Sequence, residues 1–373
     1  MERLVPWITF FVLTAAATAG EPSRSVAVPA NQSGQQLQFV RDASFDAPGS
    51  HAYVSWLQHQ AGSRPFGTIV VRGGQTGIEH FGGGATPQST WEIGSLRKAV
   101  GSTLLGMAID ERRLSLDTKA VDICPELFSG PDTSKDSAIT VRQLFCSTSG
   151  WKRPEHPGVV WFYNNAAFTA GGMVVGRVYQ QPDDSLANLV RERIADVLNC
   201  PSWKCSHFPG AFSRNYGEPG PKLAIESNLA DLTRFGEFWL QKGRWRGRQH
   251  LPRDYVEMAT SNQADAAGGH YGLGWFVNNR QQLLPDAPAD TFFHIGNGKN
   301  DRRTVLAIVP SLDLVAVVGV NAEAFDITAG YTNVPVVTVN DWLRRIVECC
   351  SKSETDSDPG LAGQDSLPRN IRE

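Results

Sequence analysis

The 373-residue chain has no long basic run, and its formal net charge is −3. A nucleic-acid partner would need a basic patch or stripe, so that class of function is set aside. The eight histidines are scattered, and no His-Glu-x-x-His stretch occurs. None of the six cysteines stands at zinc-site spacing from histidines. A metal-dependent hydrolase therefore has no ligand set to rest on. No serine sits in the Gly-x-Ser-x-Gly elbow of an α/β-hydrolase. No internal repeat of fixed period is visible either.

What remains is an ordinary globular composition, 41% hydrophobic and 20% charged with 36 glycines, long enough for one or two domains. Arg3 precedes a mostly apolar run over residues 4–19 that ends Ala17-Thr18-Ala19. This is the layout of a secretory signal peptide cleaved after Ala19. The run is short of the roughly 20 apolar residues of a spanning helix and is interrupted by Pro6. The expectation is a periplasmic or secreted protein with no membrane anchor after cleavage. An even number of cysteines suits that compartment, and Cys200 and Cys205 form the most natural local pair.

Beyond an extended lead-in over 20–45, a helix is expected near 51–60. Two strands around the Gly73-Gly74 turn follow. A helix is then predicted from about Ser95 to Arg113, on apolar positions Val100, Leu104, Leu105, Ala108 and Ile109. Residues 119–235 hold short helical patterns separated by Pro- and Gly-rich loops, with no convincing alternation, and read as an all-helical insert. A capping residue near Asn228 opens a helix carrying Phe235, Phe238 and Trp239. The last third returns to strands at 271–277, 291–294, 303–309 and 314–320, and a helix over 336–347 closes the core. The fold class is thus α/β (α+β). A discontinuous sheet domain, 46–118 and 236–348, encloses the helical domain 119–235, and residues 349–373 form a polar, disordered tail.

Chemistry is concentrated in three places. Ser95 and Lys98 are spaced i, i+3, which puts a hydroxyl and an amine on one helix face. A serine hydroxyl is a weak nucleophile until a base stands beside it, and a helix N-terminus offers N–H groups to developing negative charge. Ser149 and Lys152 repeat the spacing, but Gly150, Pro154 and Pro157 forbid the helix that would align them. Tyr163 and Asn165 can supply a proton relay and an amide hydrogen bond. His294-Ile295-Gly296-Asn297-Gly298 ends a strand with glycines that permit close backbone approach.

In this order and spacing the three motifs resemble the serine hydrolases of the β-lactamase-related family. The relevant branch holds class C β-lactamases, D-alanyl-D-alanine carboxypeptidases and family VIII-type esterases. The likeness runs from about residue 50 to 348. It implies a β-lactamase/transpeptidase-like fold, a central antiparallel sheet flanked by helices with a helical insert. It implies Ser95 as the acylated nucleophile, Lys98 as its proton acceptor or shuttle, and Tyr163 as general base and then acid. Asn165 would bind the acyl side, and the backbone N–H groups of Ser95 and Asn297 would form the oxyanion hole. No cofactor and no metal are implied, and the partner is a small ester or amide.

The departures shape the expected activity. His294-Ile295-Gly296 stands where β-lactamases carry Lys-Thr-Gly, so the ammonium and hydroxyl that hold a β-lactam carboxylate are missing. Cys146 stands where many relatives have histidine. Esterase or D-amino-acid amidase activity is therefore favoured over a true β-lactamase or D,D-carboxypeptidase. A catalytically inactive binding or sensor protein of the same fold is the reading from a different class.

Overall fold

In the computed structural model, residues 45–128, 133–181, 186–208, 222–298, 302–321, 325 and 337–351 are described. The expected signal segment and almost all of the lead-in lie outside them. The longer elements, in chain order, begin with helix α1 (Ala47–Ala61), strands β1 (Phe66–Arg72), β2 (Gln75–Gly82) and β3 (Trp91–Glu92), and helix α2 (Arg97–Asp110). Next come the short helix α3 (Val141–Phe145) and helix α4 (Asn165–Val178), strands β4 (Lys204–Phe208) and β5 (Lys222–Ser227), and helix α5 (Leu229–Leu240). A small hairpin, β6 (Arg244–Trp245) and β7 (Arg248–Gln249), leads to β8 (Phe276–Val277), β9 (Phe292–Asn297), β10 (Arg302–Val309), β11 (Leu314–Asn321) and helix α6 (Val337–Ser351).

The main sheet has the order β2-β1-β11-β10-β9-β8, with every pairing antiparallel. Its central strands are apolar on both faces, because both faces are covered. In β11, Leu314, Ala316, Val318 and Val320 join one core with Tyr53 and Leu57 of α1 and Trp342 and Ile346 of α6. The intervening Val315 and Val317 join another core with Phe235 and Trp239 of α5 and Leu104 of α2. Period-two alternation thus assigns each strand residue to one of two helical layers. The α1–sheet–α6 layer is also tied by polar atoms. The Tyr53 hydroxyl lies 2.7 Å from Thr68 Oγ1 and accepts from Trp342 Nε1 at 2.9 Å, all of it buried.

Five expectations need correction. Helix α2 starts at Arg97, two residues late, and Ser95 lies in the 3₁₀ turn Gly94–Leu96 that feeds it. The segment 119–235 is not all helical: β5 pairs with both β4 and β3 in a second, three-stranded sheet. These strands are short, and their pairing across the chain is what stabilises them. The expected strand 271–277 is reduced to Phe276–Val277. Gly274 turns the chain with φ +80°, and Gly272 lies so close to the Ala259 carbonyl that a Cβ would come within 2.0 Å. Finally, Cys349, Cys350 and Ser351 continue α6, so the tail does not begin at 349. Cys200 and Cys205 are free thiols, Cys205 being in register with Ile225 inside β4–β5.

Tyr53→Phe removes the hydroxyl that Thr68 and Trp342 share and leaves the indole N–H buried and unpaired. The expected loss is about 1–3 kcal/mol of unfolding free energy, read as a lower denaturant midpoint with an unchanged m-value.

Candidate active site

Helix α2 is buried on all sides, since every residue from Arg97 to Ala108 is buried. A helix enclosed in this way needs close neighbours, and glycines provide the room. At Gly106 a Cβ would meet the Tyr255 ring at 2.4 Å. Lys98 therefore has no route to solvent, and its ammonium must find partners inside. It donates to Ser95 Oγ at 3.2 Å and to Asn165 Oδ1 at 2.7 Å. It also lies over the Tyr163 ring, 4.4 Å from the centroid, with Phe168 at 5.6 Å. Cation–π contacts of this kind gain strength when desolvated.

Two adjacent asparagines divide the work at the start of α4. Asn164 is the cap: its Oδ1 accepts from Ala167 N at 3.1 Å and its Nδ2 donates to the Trp151 carbonyl at 2.9 Å. That orientation turns Asn165 toward Lys98. The Ser149–Lys152 repeat lies in turns, with Lys152 at φ +56° and no helix to align it.

The Ser95 turn sits on an open strand edge. Strand β8 pairs only with Phe292 and Phe293, so among the described residues no strand pairs with β9 beyond Phe293 on that side. Gly298 N–H donates to the Arg302 carbonyl. By antiparallel alternation, the N–H groups of Gly296 and His294 then face β10, while those of Asn297 and Ile295 face the open edge. Gly94 fills that edge. With φ +50°, a Cβ there would fall 2.7 Å from both the N and O of Asn297. Gly296 mirrors it, since a Cβ would meet the Ile93 carbonyl at 2.1 Å. The Asn297 side chain is held away by Arg303, whose Nη1 donates to its Oδ1 at 2.6 Å. Its backbone N–H thus faces the edge filled by the turn that carries Ser95.

His294 occupies a different place from the one its motif implies. It is fully buried, Nδ1 lies 2.8 Å from the Ile295 carbonyl, and Nε2 lies 3.0 Å from the Tyr271 hydroxyl. Burial, then the positive charges of Lys98 and Arg97, hold its pKa well below 6.5. At neutral pH the imidazole carries no charge. The sequence reading missed Gly94, Asn164, Phe168 and Tyr271. Only Tyr271 had a visible signal, in Tyr271-Gly272-Leu273-Gly274-Trp275. Cys146 is buried beside Thr148, at 3.1 Å, and burial pushes its thiol pKa up.

The profile of the family described as Beta-lactamase matches residues 57–333. The chain belongs to this family. Its members are serine hydrolases with the β-lactamase/transpeptidase-like fold, and that is the fold described above. Among solved structures, the chain is similar to the D-alanine carboxypeptidase AmpC from Burkholderia cenocepacia (19% identity, TM-score 0.61, covering 81% of this chain and 98% of that one). It is also similar to a class C beta lactamase from Rhodobacter sphaeroides (16% identity, TM-score 0.60, 81% and 100% covered). A third is the octameric penicillin-binding protein homologue from Pyrococcus abyssi (14% identity, TM-score 0.61, 82% and 78% covered). Comparison with curated protein sequences finds no match.

Two predictions follow from this geometry. Asn164→Ala loses the helix cap, costing about 1 kcal/mol of stability. Asn165→Ala leaves the cap intact but removes the nearer acceptor of the Lys98 ammonium. Turnover is expected to fall further in Asn165→Ala than in Asn164→Ala, while thermal melts rank them the other way. Stability should also depend on pH through His294. Its pKa is lowered in the folded state, so below about 6.5 the unfolded chain binds a proton that the native chain does not. Unfolding free energy is expected to drop as pH falls from 7 to 5, and less steeply in His294→Leu. His80 and His250, also lowered, keep some slope in the variant.

Proposed function

We propose that this member of the β-lactamase family is an exported serine hydrolase acting through an acyl-enzyme on a small ester or amide. The observation that carries the reading is the single contact set around Lys98: its Nζ joins Ser95 Oγ and Asn165 Oδ1 over the Tyr163 ring. In the proposed acylation, Ser95 Oγ attacks the substrate carbonyl as its proton passes either to the Tyr163 phenolate, with Lys98 staying an ammonium beside it, or to Lys98 in its neutral amine form. The negative oxygen of the tetrahedral intermediate is met by the N–H groups of Ser95 and Asn297, each such donor being worth about 3 kcal/mol in the transition state. Tyr163 protonates the departing alcohol or amine. Water then attacks the acyl carbon, returning the proton to Ser95 and releasing the acid.

The preference for an ester or D-amino-acid amide over a β-lactam rests on His294. Its ring is neutral at working pH, and both nitrogens are engaged with protein atoms. Ile295 follows it and brings no hydroxyl. Nothing at these two positions can offer the cation and hydroxyl that would grip a β-lactam carboxylate. Export rests on the apolar run over residues 4–19. Among the described residues, no helix is long and apolar enough to cross a membrane.

A fluorophosphonate probe is expected to label the Ser95 peptide, with labelling lost in Ser95→Ala. Lys98→Ala should lower kcat by about 10²–10⁴-fold. In parallel assays, p-nitrophenyl acetate or a D-alanyl p-nitroanilide should be turned over faster than a chromogenic cephalosporin. An unlabelled Ser95 between pH 6 and 9 contradicts the nucleophile. Fast cephalosporin turnover contradicts the substrate class.

A further inference from the structure

We propose that Tyr271 is a positioning residue for the Ser95 reaction: its hydroxyl fixes the tautomer and orientation of His294, and its ring edge fixes Tyr163. The proposal rests on the serine-hydrolase reading above and adds a residue to it.

The tautomer follows from the hydrogen bonds alone. A carbonyl can only accept, so the contact of His294 Nδ1 with the Ile295 oxygen at 2.8 Å puts the hydrogen on Nδ1. In a neutral imidazole, Nε2 is then an acceptor, and the Tyr271 hydroxyl at 3.0 Å is its donor. Both nitrogens are committed, which locks the ring in one orientation.

The Tyr271 ring reaches the other side of the site. It meets the Tyr163 ring edge to face, with centroids 6.1 Å apart at 88°. Tyr163 is also stacked on Phe276, 5.8 Å away at 6°, and Phe276 meets Tyr271 at 4.9 Å and 83°. The catalytic candidate Tyr163 is therefore held in a two-sided aromatic slot, one wall of which is Tyr271.

Tyr271 itself has no freedom to move. It is fully buried. Its carbonyl accepts from the N–H groups of Gln263 and Ala264, and its N–H donates to Asn262 Oδ1 at 3.2 Å. Three residues on, Gly274 lies against the backbone of the nucleophile helix: a Cβ there would come within 2.6 Å of the Lys98 carbonyl. One tight turn thus touches Lys98 through its backbone, Tyr163 through a ring edge and His294 through a hydroxyl. The charged groups bearing on His294 are Lys98 and Arg97, both from α2.

The test is Tyr271→Phe, which keeps the ring and deletes the hydroxyl. On the best ester of the panel, kcat is expected to fall roughly tenfold, the scale of one buried hydrogen bond, with KM little changed. The acidic limb of the kcat/KM profile should move to higher pH, because the neutral imidazole loses the donor that favours it. In a His294→Leu background, the same substitution should cause no further loss of kcat, since the hydroxyl acts through His294. Independently of any variant, ¹⁵N NMR of the wild-type protein at pH 7 should find His294 neutral and protonated on Nδ1. Wild-type kcat and pH profile in Tyr271→Phe, or an Nε2-protonated His294, would overturn the proposal. Loss of fluorophosphonate labelling at Ser95 in the wild type would instead overturn the hydrolase reading.

Discussion

An ammonium buried in the middle of a protein must be surrounded, and the surroundings of Lys98 organise this one. The helix that carries it is enclosed on every face, so solvation comes from Ser95, Asn165 and an aromatic face instead of water. Each partner is delivered by a different part of the chain. Ser95 arrives on a 3₁₀ turn, Asn165 on the first turn of a capped helix, and Tyr163 on the loop just before it. Satisfying one buried charge therefore fixes three elements relative to each other. The same contacts place a hydroxyl beside an amine.

The sheet supplies the second constraint. Strand β8 is short, and the edge of β9 it leaves open is filled by the Gly94 turn rather than by another strand. Unpaired strand N–H groups are normally a liability. Here the N–H of Asn297 faces the edge that the Gly94 turn fills. Two glycines facing one another, Gly94 and Gly296, make the approach close enough. Any side chain at either position would hold turn and strand apart.

How much of this was legible in the sequence depends on the range of the interaction involved. The apolar runs of β1, β10 and β11 and the i, i+3 pair Ser95–Lys98 are local signals, and they were readable. The start of α2 was misplaced by two residues because a 3₁₀ turn and a helix share the same apolar spacing there. Strands β4 and β5 were missed because each is at most six residues long and is held mainly by pairing with the other. Residues 271–277 look like a strand by composition, but close contacts at Gly272 and Gly274 turn the chain. Asn164 and Asn165 cannot be told apart by spacing, since either could cap. The role of His294 was the least legible. Its motif places it in the site, yet the hydroxyl that engages it comes from 23 residues earlier and is brought there by the turn before β8.

Everything proposed for the chemistry depends on Ser95 being a nucleophile whose oxyanion is met by the N–H of Asn297. The most direct measurement is a crystal structure of the protein after reaction with a fluorophosphonate. A covalent bond from Ser95 Oγ to phosphorus is expected, with the phosphoryl oxygen about 3 Å from the backbone nitrogens of both Ser95 and Asn297. Phosphorus on any other residue, or a phosphoryl oxygen turned away from the β9 edge, would contradict it.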